Sequence, residues 1–176
     1  MENEVRVSFL ITENDFLDMS ILRSYCTIPR TNKIVLLITG ITAVLCGGLA
    51  FINIGGNIFQ NICWVLLIFI GFYCISYYDV IEPLLMKSQA RSFYRYNKEK
   101  LGSREFVFGG KYFEMKSDDH KLRIPAEYIF KAVEGKNTVI IFLDNDEYCF
   151  ISKRILDEEK LETLRSFIGE EKYKRL

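Results

Sequence analysis

From Ile34 to Tyr78 the chain carries no Asp, Glu, Lys or Arg, while its 23 acidic and 23 basic residues crowd into the flanks. As one helix this stretch would run ~67 Å, about twice the hydrocarbon thickness of a bilayer. It must therefore be divided, and the segment Asn53 to Asn57, with Gly55 and Gly56 at its centre, is where a turn is favoured. The pattern predicts two apolar helices over 34–54 and 62–81. Each has about 20 residues, which suits a bilayer crossing better than the roughly 10 to 14 of a buried soluble helix. Helices satisfy their own backbone hydrogen bonds, as the interior of a bilayer demands.

Within the first of these helices Gly40, Ala43, Gly47 and Ala50 recur at steps of three and four, which gives one face of small residues for close packing on the second. In an antiparallel pair Lys33 falls at the depth of Asp79 and Glu82, so an interfacial ion pair from Lys33 to Asp79 or Glu82 is expected. Arg23, Arg30 and Lys33 precede the apolar stretch, Lys87, Arg91 and Arg95 follow it, and the turn has no basic residue. That asymmetry predicts both ends of the chain on the cytoplasmic side.

Pro83 predicts a kink or restart, after which a helix runs to about Leu101. Along it Lys87, Arg91, Arg95 and Lys98 form one basic stripe. Two readings stay open: contact with anionic lipid headgroups, at about 1 kcal/mol per charge, or a solvated linker that enforces topology.

Beyond Gly102 and Ser103 the period changes to two. Short runs at 105–108, 111–115, 122–124, 129–133, 138–143 and 148–151 alternate with turn signals at Gly109-Gly110, Ser117 to His120, Gly135 to Asn137 and Asp144 to Asp146. They predict about six antiparallel strands. Leu156, Leu161, Leu164, Phe167 and Ile168 then fall at helical spacing, with Asp157 and Glu158 at the start and Lys172, Lys174 and Arg175 toward the end, which predicts one closing amphipathic helix. A bent antiparallel sheet followed by a single helix is the element order of pleckstrin-homology-like domains. At the other end of the chain Val5, Val7, Phe9 and Ile11 alternate with polar residues. Thr12 or Asp15 can cap a helix carrying Phe16, Leu17, Met19 and Leu22. A lone strand needs a sheet, so this one is expected to join the C-terminal sheet.

The fold class so predicted is an α+β membrane protein, a two-helix transmembrane hairpin with a cytosolic pleckstrin-homology-like β domain closed by a C-terminal helix. Its parts are the N-terminal strand and helix (1–32), the hairpin (33–82), the basic juxtamembrane helix (83–101) and the β domain (102–176). The formal net charge is zero, which gives no general pull toward nucleic acid. Five cysteines without CxxC spacing read as reduced, small apolar residues. An acid-containing N-terminal segment does not read as a signal peptide.

The chain resembles the YcxB-like family of small bacterial membrane proteins. The resemblance rests on the opening Val5 to Phe16, the two consecutive apolar spans, and the runs Phe106 to Met115, Ile124 to Glu134 and Tyr148 to Arg154. It implies a protein of the bacterial cell membrane with a pleckstrin-homology-like cytosolic part and no catalytic residues. Ser152 stands where the family often has Pro.

No catalytic residues, metal ligands or cofactors are predicted. The single histidine, His120, sits beside Asp118 and Asp119 in a turn. Gly109-Gly110 lacks the flanking residues of a phosphate loop. Lys111, Lys116, Lys121 and Arg123 are interrupted by Glu114, Asp118 and Asp119, so a mixed-sign solvated surface is expected there rather than an anion site. The leading expectation is a non-enzymatic membrane protein that presents an interaction domain to a protein or peptide, with membrane lipid as a second partner. A membrane-associated immunity or stress-protection protein is the alternative, and a lipid-active enzyme using Asp79, Glu82 or His120 is a third. Oligomeric state is left open.

Overall fold

A computed structural model describes residues 4–53, 57–117, 121–144 and 147–176. Of the expected turns, residues 54–56 of the hairpin turn Asn53 to Asn57, residues 118–120 of Ser117 to His120, and residues 145–146 of Asp144 to Asp146 lie outside the described residues, His120 among them. The chain divides into two compact units, one formed by Thr27–Met86, the other by Met1–Cys26 together with Lys87–Leu176.

The first unit is a pair of helices, α2 (Arg30–Asn53) and α3 (Ile58–Ser76). Both are long and apolar enough to cross a membrane, and little of either is buried. Small residues decide how closely they approach. Gly40 and Gly47 are buried against α3, and Gly71 faces them from the other side. A Cβ at Gly71 would lie 2.6 Å from Val44 Cγ2 and 2.8 Å from the Gly40 carbonyl oxygen, so neither glycine can carry a side chain without parting the helices. Ala43 and Ala50 are half-buried.

Pro83 does not interrupt the helix. A π-helical turn (Tyr77–Ile81) follows α3, and α4 (Glu82–Leu101) continues through the proline, so the chain is helical from Ile58 to Leu101. The widened turn, in which the Glu82 N–H donates to the Tyr77 carbonyl, absorbs the missing N–H and the steric demand of the proline ring.

Among the described residues the second unit holds eight strands, the expected N-terminal strand and six others plus the short strand Tyr173–Arg175, and they form two sheets rather than one. The first sheet is an antiparallel meander of β1 (Val5–Leu10), β2 (Ser103–Phe108), β3 (Tyr112–Ser117) and β4 (Lys121–Pro125). The second contains β5 (Lys131–Glu134), β6 (Thr138–Phe142), β7 (Tyr148–Ser152) and β8 (Tyr173–Arg175), in the order β7-β6-β5-β8. A 3-10 turn at Ala126–Tyr128, just after Pro125, separates the two sheets.

The closing helix α5 (Glu158–Ile168) is capped by the Asp157 side chain, which accepts from the Lys160 N–H, and ends at Gly169. Lys172, Lys174 and Arg175 were expected to lie toward the end of this helix but lie beyond it. Gly169 has φ +92°, a conformation that turns the chain out of the helix and that a Cβ would oppose. The residues that follow then add to the sheet as β8.

β1 pairs along its whole length with β2, from Val5 opposite Phe108 to Leu10 opposite Ser103. Its inward residues Val7 and Phe9 enter the core. Phe9 stacks on Phe106 of the first sheet at 6.0 Å and meets Phe150 of the second edge-on at 6.1 Å, so a single ring joins both sheets. Phe106, Phe108, Phe113, Ile140, Ile141 and Leu164 complete that core without solvent exposure above 1%. The next element, α1 (Glu13–Thr27), buries Leu17, Met19 and Leu22. Phe16 of α1 stacks on Phe93 of α4 at 5.5 Å, and the Tyr94 hydroxyl donates to the Ile11 carbonyl.

The close contact of α2 and α3 generates a paired test. Gly71→Leu should lower the thermal midpoint of the detergent-solubilised protein clearly, by several degrees. Gly48→Leu, placed where an added Cβ meets nothing within 4 Å, should leave it within experimental error.

Candidate functional site

Two buried carboxylates organise the second unit, one at each side of the Ser152–Lys153–Arg154 corner. Asp15 is the third residue of α1; its N–H donates to the Thr12 hydroxyl oxygen, while its Oδ2 accepts from the Thr12 N–H and Oγ1, a reciprocal cap. Ser152 Oγ donates to Asp15 Oδ1 at 2.6 Å, and the Arg154 guanidinium grips the carboxylate side-on, with Nε 3.2 Å from Oδ1 and Nη2 2.9 Å from Oδ2. Arg154 Nη2 also donates to the Leu10 carbonyl at 2.7 Å. Burial works to raise the Asp15 pKa, but the donors Ser152, Thr12 and Arg154 together outweigh it and hold the carboxyl below its usual range. A proline at position 152 could offer no such donor.

Glu134 closes β5 and is 1% exposed. Lys153 Nζ donates to its Oε1 at 2.6 Å, Arg165 Nη2 and the Tyr173 hydroxyl donate to its Oε2 at 2.9 and 3.0 Å, and Arg175 Nε lies 3.8 Å from Oε1. Burial alone would raise this carboxyl. The hydrogen bonds from Lys153, Arg165 and Tyr173 win, and the pKa falls from 4.5 to about 2. Burial, reinforced by the neighbouring carboxylate, pushes the Tyr173 hydroxyl up, so it remains a donor at neutral pH. Cys149 is buried, and burial pushes its thiol up to about 12, so it is protonated and unreactive at neutral pH.

Two features of this unit lie beside α5. On one side an open cleft of 580 Å³ lies between α5 and the β2–β3 turn, lined by Gly109, Gly110, Glu159, Glu162 and Phe167 among others. On another, the outer edge of β5 carries the three-residue β8 in parallel register, Ala132 opposite Tyr173 and Glu134 opposite Arg175. The Ala132 N–H donates to the Lys172 carbonyl at 2.8 Å, and the Leu176 N–H donates to the Glu134 carbonyl at 3.0 Å.

The residues singled out from sequence fall elsewhere. Lys87, Arg91, Arg95 and Lys98 are all exposed on α4, while Ala90 and Tyr94 of the same helix are buried. Arg91 makes an ion pair with Glu13 at 3.4 Å. Lys33 sits with its ammonium 5.7 Å from the centre of the Tyr78 ring, Asp79 is exposed and Glu82 is buried. Lys121 and Arg123 are engaged by Glu114 at 3.6 and 2.9 Å, Arg123 also stacks over Tyr112, and Lys116 lines a small pocket with Arg6, Glu105 and Glu114. That face of the first sheet is mixed in sign. Among the described residues no group of three or more His, Cys, Asp or Glu side chains could hold a metal ion. Asp15 was foreseen only as a cap, and the Glu134 cluster was not foreseen. The one signal for it was Glu134 sharing a strand face with inward-facing Ala132.

The second unit is thus an α+β domain of two four-stranded sheets closed by a helix. Residues 108–168 match the YcxB-like protein family, so the chain carries a YcxB-like domain that runs from the last residue of β2 to the last of α5. No curated protein and no solved structure matches the chain.

The depressed Glu134 pKa sets a sign for stability. A carboxyl whose folded pKa lies below its unfolded value stabilises the fold above about pH 4.5, by about 3 kcal/mol for this shift, and loses that contribution as pH falls from there toward 2. Glu134→Ala strands Lys153 and Arg165 and should cost about 3 to 5 kcal/mol in denaturant unfolding at neutral pH. The difference between variant and wild type should shrink on acidification through that window.

Proposed function

We propose that this chain is a non-enzymatic membrane protein of the bacterial cytoplasmic membrane. In this reading α2 and α3 cross the bilayer as a hairpin, and the YcxB-like domain on the cytoplasmic face docks a protein or peptide partner. The observation that carries the membrane half is the outward surface of the two helices. Ile34, Val35, Leu45, Leu49, Leu66 and Phe69 are each more than half exposed, and such a continuous apolar surface is incompatible with water. Basic residues at both ends of the pair and none in the described part of the turn support a cytoplasmic location for both termini.

A pleckstrin-homology-like reading of the domain is supported by its order, four meandering strands, three more and a closing helix, with the apolar pair inserted after the first strand. The cleft and strand edge beside α5 support partner docking, because extended peptides bind by adding to a sheet edge or lying along a groove. Lys87, Arg95 and Lys98 are exposed and have no ion-pair partner among the described residues, which suits contact with anionic headgroups at the same membrane face.

Two measurements test this. The protein should stay in the membrane pellet after an alkaline wash, and tags at Met1 and Leu176 should both become accessible only when the cytoplasmic face of the vesicles is opened. Release into the supernatant, or tags reporting opposite compartments, would overturn the membrane reading. Crosslinking in native membranes followed by purification of the full-length protein should recover a reproducible partner, and repeated failure would overturn the docking reading.

A further inference from the structure

We infer that the outer edge of β5 is a strand-addition site for an extended partner segment bearing a hydroxylated aromatic residue and, two positions later, an arginine, and that β8 occupies this site as an internal copy of that ligand. The inference rests on the docking reading above and names the chemistry of the partner.

β8 has the properties of a ligand more than of a core strand. It is three residues long, it pairs with β5 alone, and its pairing is parallel, the weaker arrangement per residue. Lys174 and Arg175 are exposed, and Tyr173 is half-buried. Gly169, in its left-handed conformation, starts the short turn that separates β8 from α5. Of its side chains only Tyr173 packs against the core, and a three-residue strand held at one edge opens locally more readily than the strands inside the sheet. When it leaves, β5 presents unpaired N–H and C=O groups of the kind that recruit another strand.

The receiving side is built without β8. Lys153 and Arg165, from the body of the domain, already bind both oxygens of the buried Glu134 carboxylate. With Tyr173 and Arg175 withdrawn, the carboxylate would keep these two partners. The three carboxylates Glu134, Glu158 and Glu162 then face the two cations Lys153 and Arg165, which leaves one negative charge. Arg175 supplies the balancing positive charge. Tyr173 and Arg175 lie two apart on one strand face, so both address Glu134 while Lys174 points away, and this spacing sets the pattern required of a partner.

The test uses the full-length protein in detergent and a labelled synthetic peptide with the sequence of residues 169–176. Lys174→Pro removes a backbone donor from β8 without touching the Glu134 cluster. By fluorescence anisotropy this variant should bind the peptide at least tenfold more tightly than wild type. A peptide with alanine in place of the tyrosine and the second basic residue after it should bind at least tenfold more weakly. A folded K174P protein that binds no better than wild type, or that binds both peptides equally, overturns the site. Should K174P fail to fold, hydrogen exchange on the wild-type protein decides. Saturating unlabelled peptide should speed exchange at Tyr173 to Leu176 at least tenfold and leave Val139 to Ile141 unchanged, and no acceleration overturns the site. Peptide binding without any partner recovered from membranes would overturn the docking reading and leave the strand site standing. A partner retained in the presence of saturating peptide would do the reverse.

Discussion

The pairing of β1 with β2 is the constraint on which the rest of the architecture depends. Ten residues into the chain a strand is committed to a sheet whose next strand begins at Ser103. Everything between must therefore leave that sheet and return to it. Closing so long a segment costs on the order of 4 kcal/mol in chain entropy, because the cost rises only with the logarithm of length. Burial of Val7 and of Phe9, whose ring meets both sheets, at about 1.5 to 3 kcal/mol per large apolar side chain, is of the same order. An inserted pair of antiparallel helices is well suited to this constraint, since it brings its own two ends back together.

The Ser152–Lys153–Arg154 corner strengthens the closure through geometry. Adjacent cations part company there: Arg154 reaches Asp15 in the N-terminal segment, and Lys153 reaches Glu134 in β5. Buried ion pairs of this kind contribute little net stability compared with apolar packing of the same shape, but each fails badly when one partner is removed. Their effect is to specify a single arrangement. Ser152 adds a third donor to Asp15, and its hydroxyl is the only group at that position able to do so. This hydrogen bond ties the N-terminal helix to the end of β7.

What could be read from the sequence was what periodicity and local chemistry encode. The uncharged stretch, the alternation of Val5 to Ile11, the cap at Thr12 and the small-residue face of α2 are properties of neighbours a few residues apart. The Glu134 site is different in kind. Its donors lie 19, 31 and 39 residues away, and no local pattern distinguishes a carboxylate that will be buried among them from one that will face water. β8 eluded the same reasoning because Tyr173-Lys174-Arg175 resembles the basic end of a helix, and its extended form comes from hydrogen bonds lent by β5. The division into two sheets also depends on a tertiary choice, taken at the turn after Pro125.

The helix through Pro83 shows how the chain changes from one environment to another without a break in secondary structure. Up to Ser76 the helical residues are almost wholly apolar, and beyond Glu82 charged residues recur on every turn. Between them the π-helical turn carries Tyr77, Tyr78 and Asp79, with the Tyr77 and Tyr78 rings edge-on at 5.2 Å and the Lys33 ammonium above Tyr78. An ordinary α-helical turn there would press the Pro83 ring against the carbonyl four residues back, at Asp79. The extra residue in the π turn relieves that pressure and shifts the phase of every side chain that follows. Further along, Ala90 and Tyr94 are buried while Lys87, Arg91, Arg95 and Lys98 are exposed. On the proposed membrane reading, the proline, its bulge and the amphipathic aromatic residues together mark the level at which lipid gives way to water.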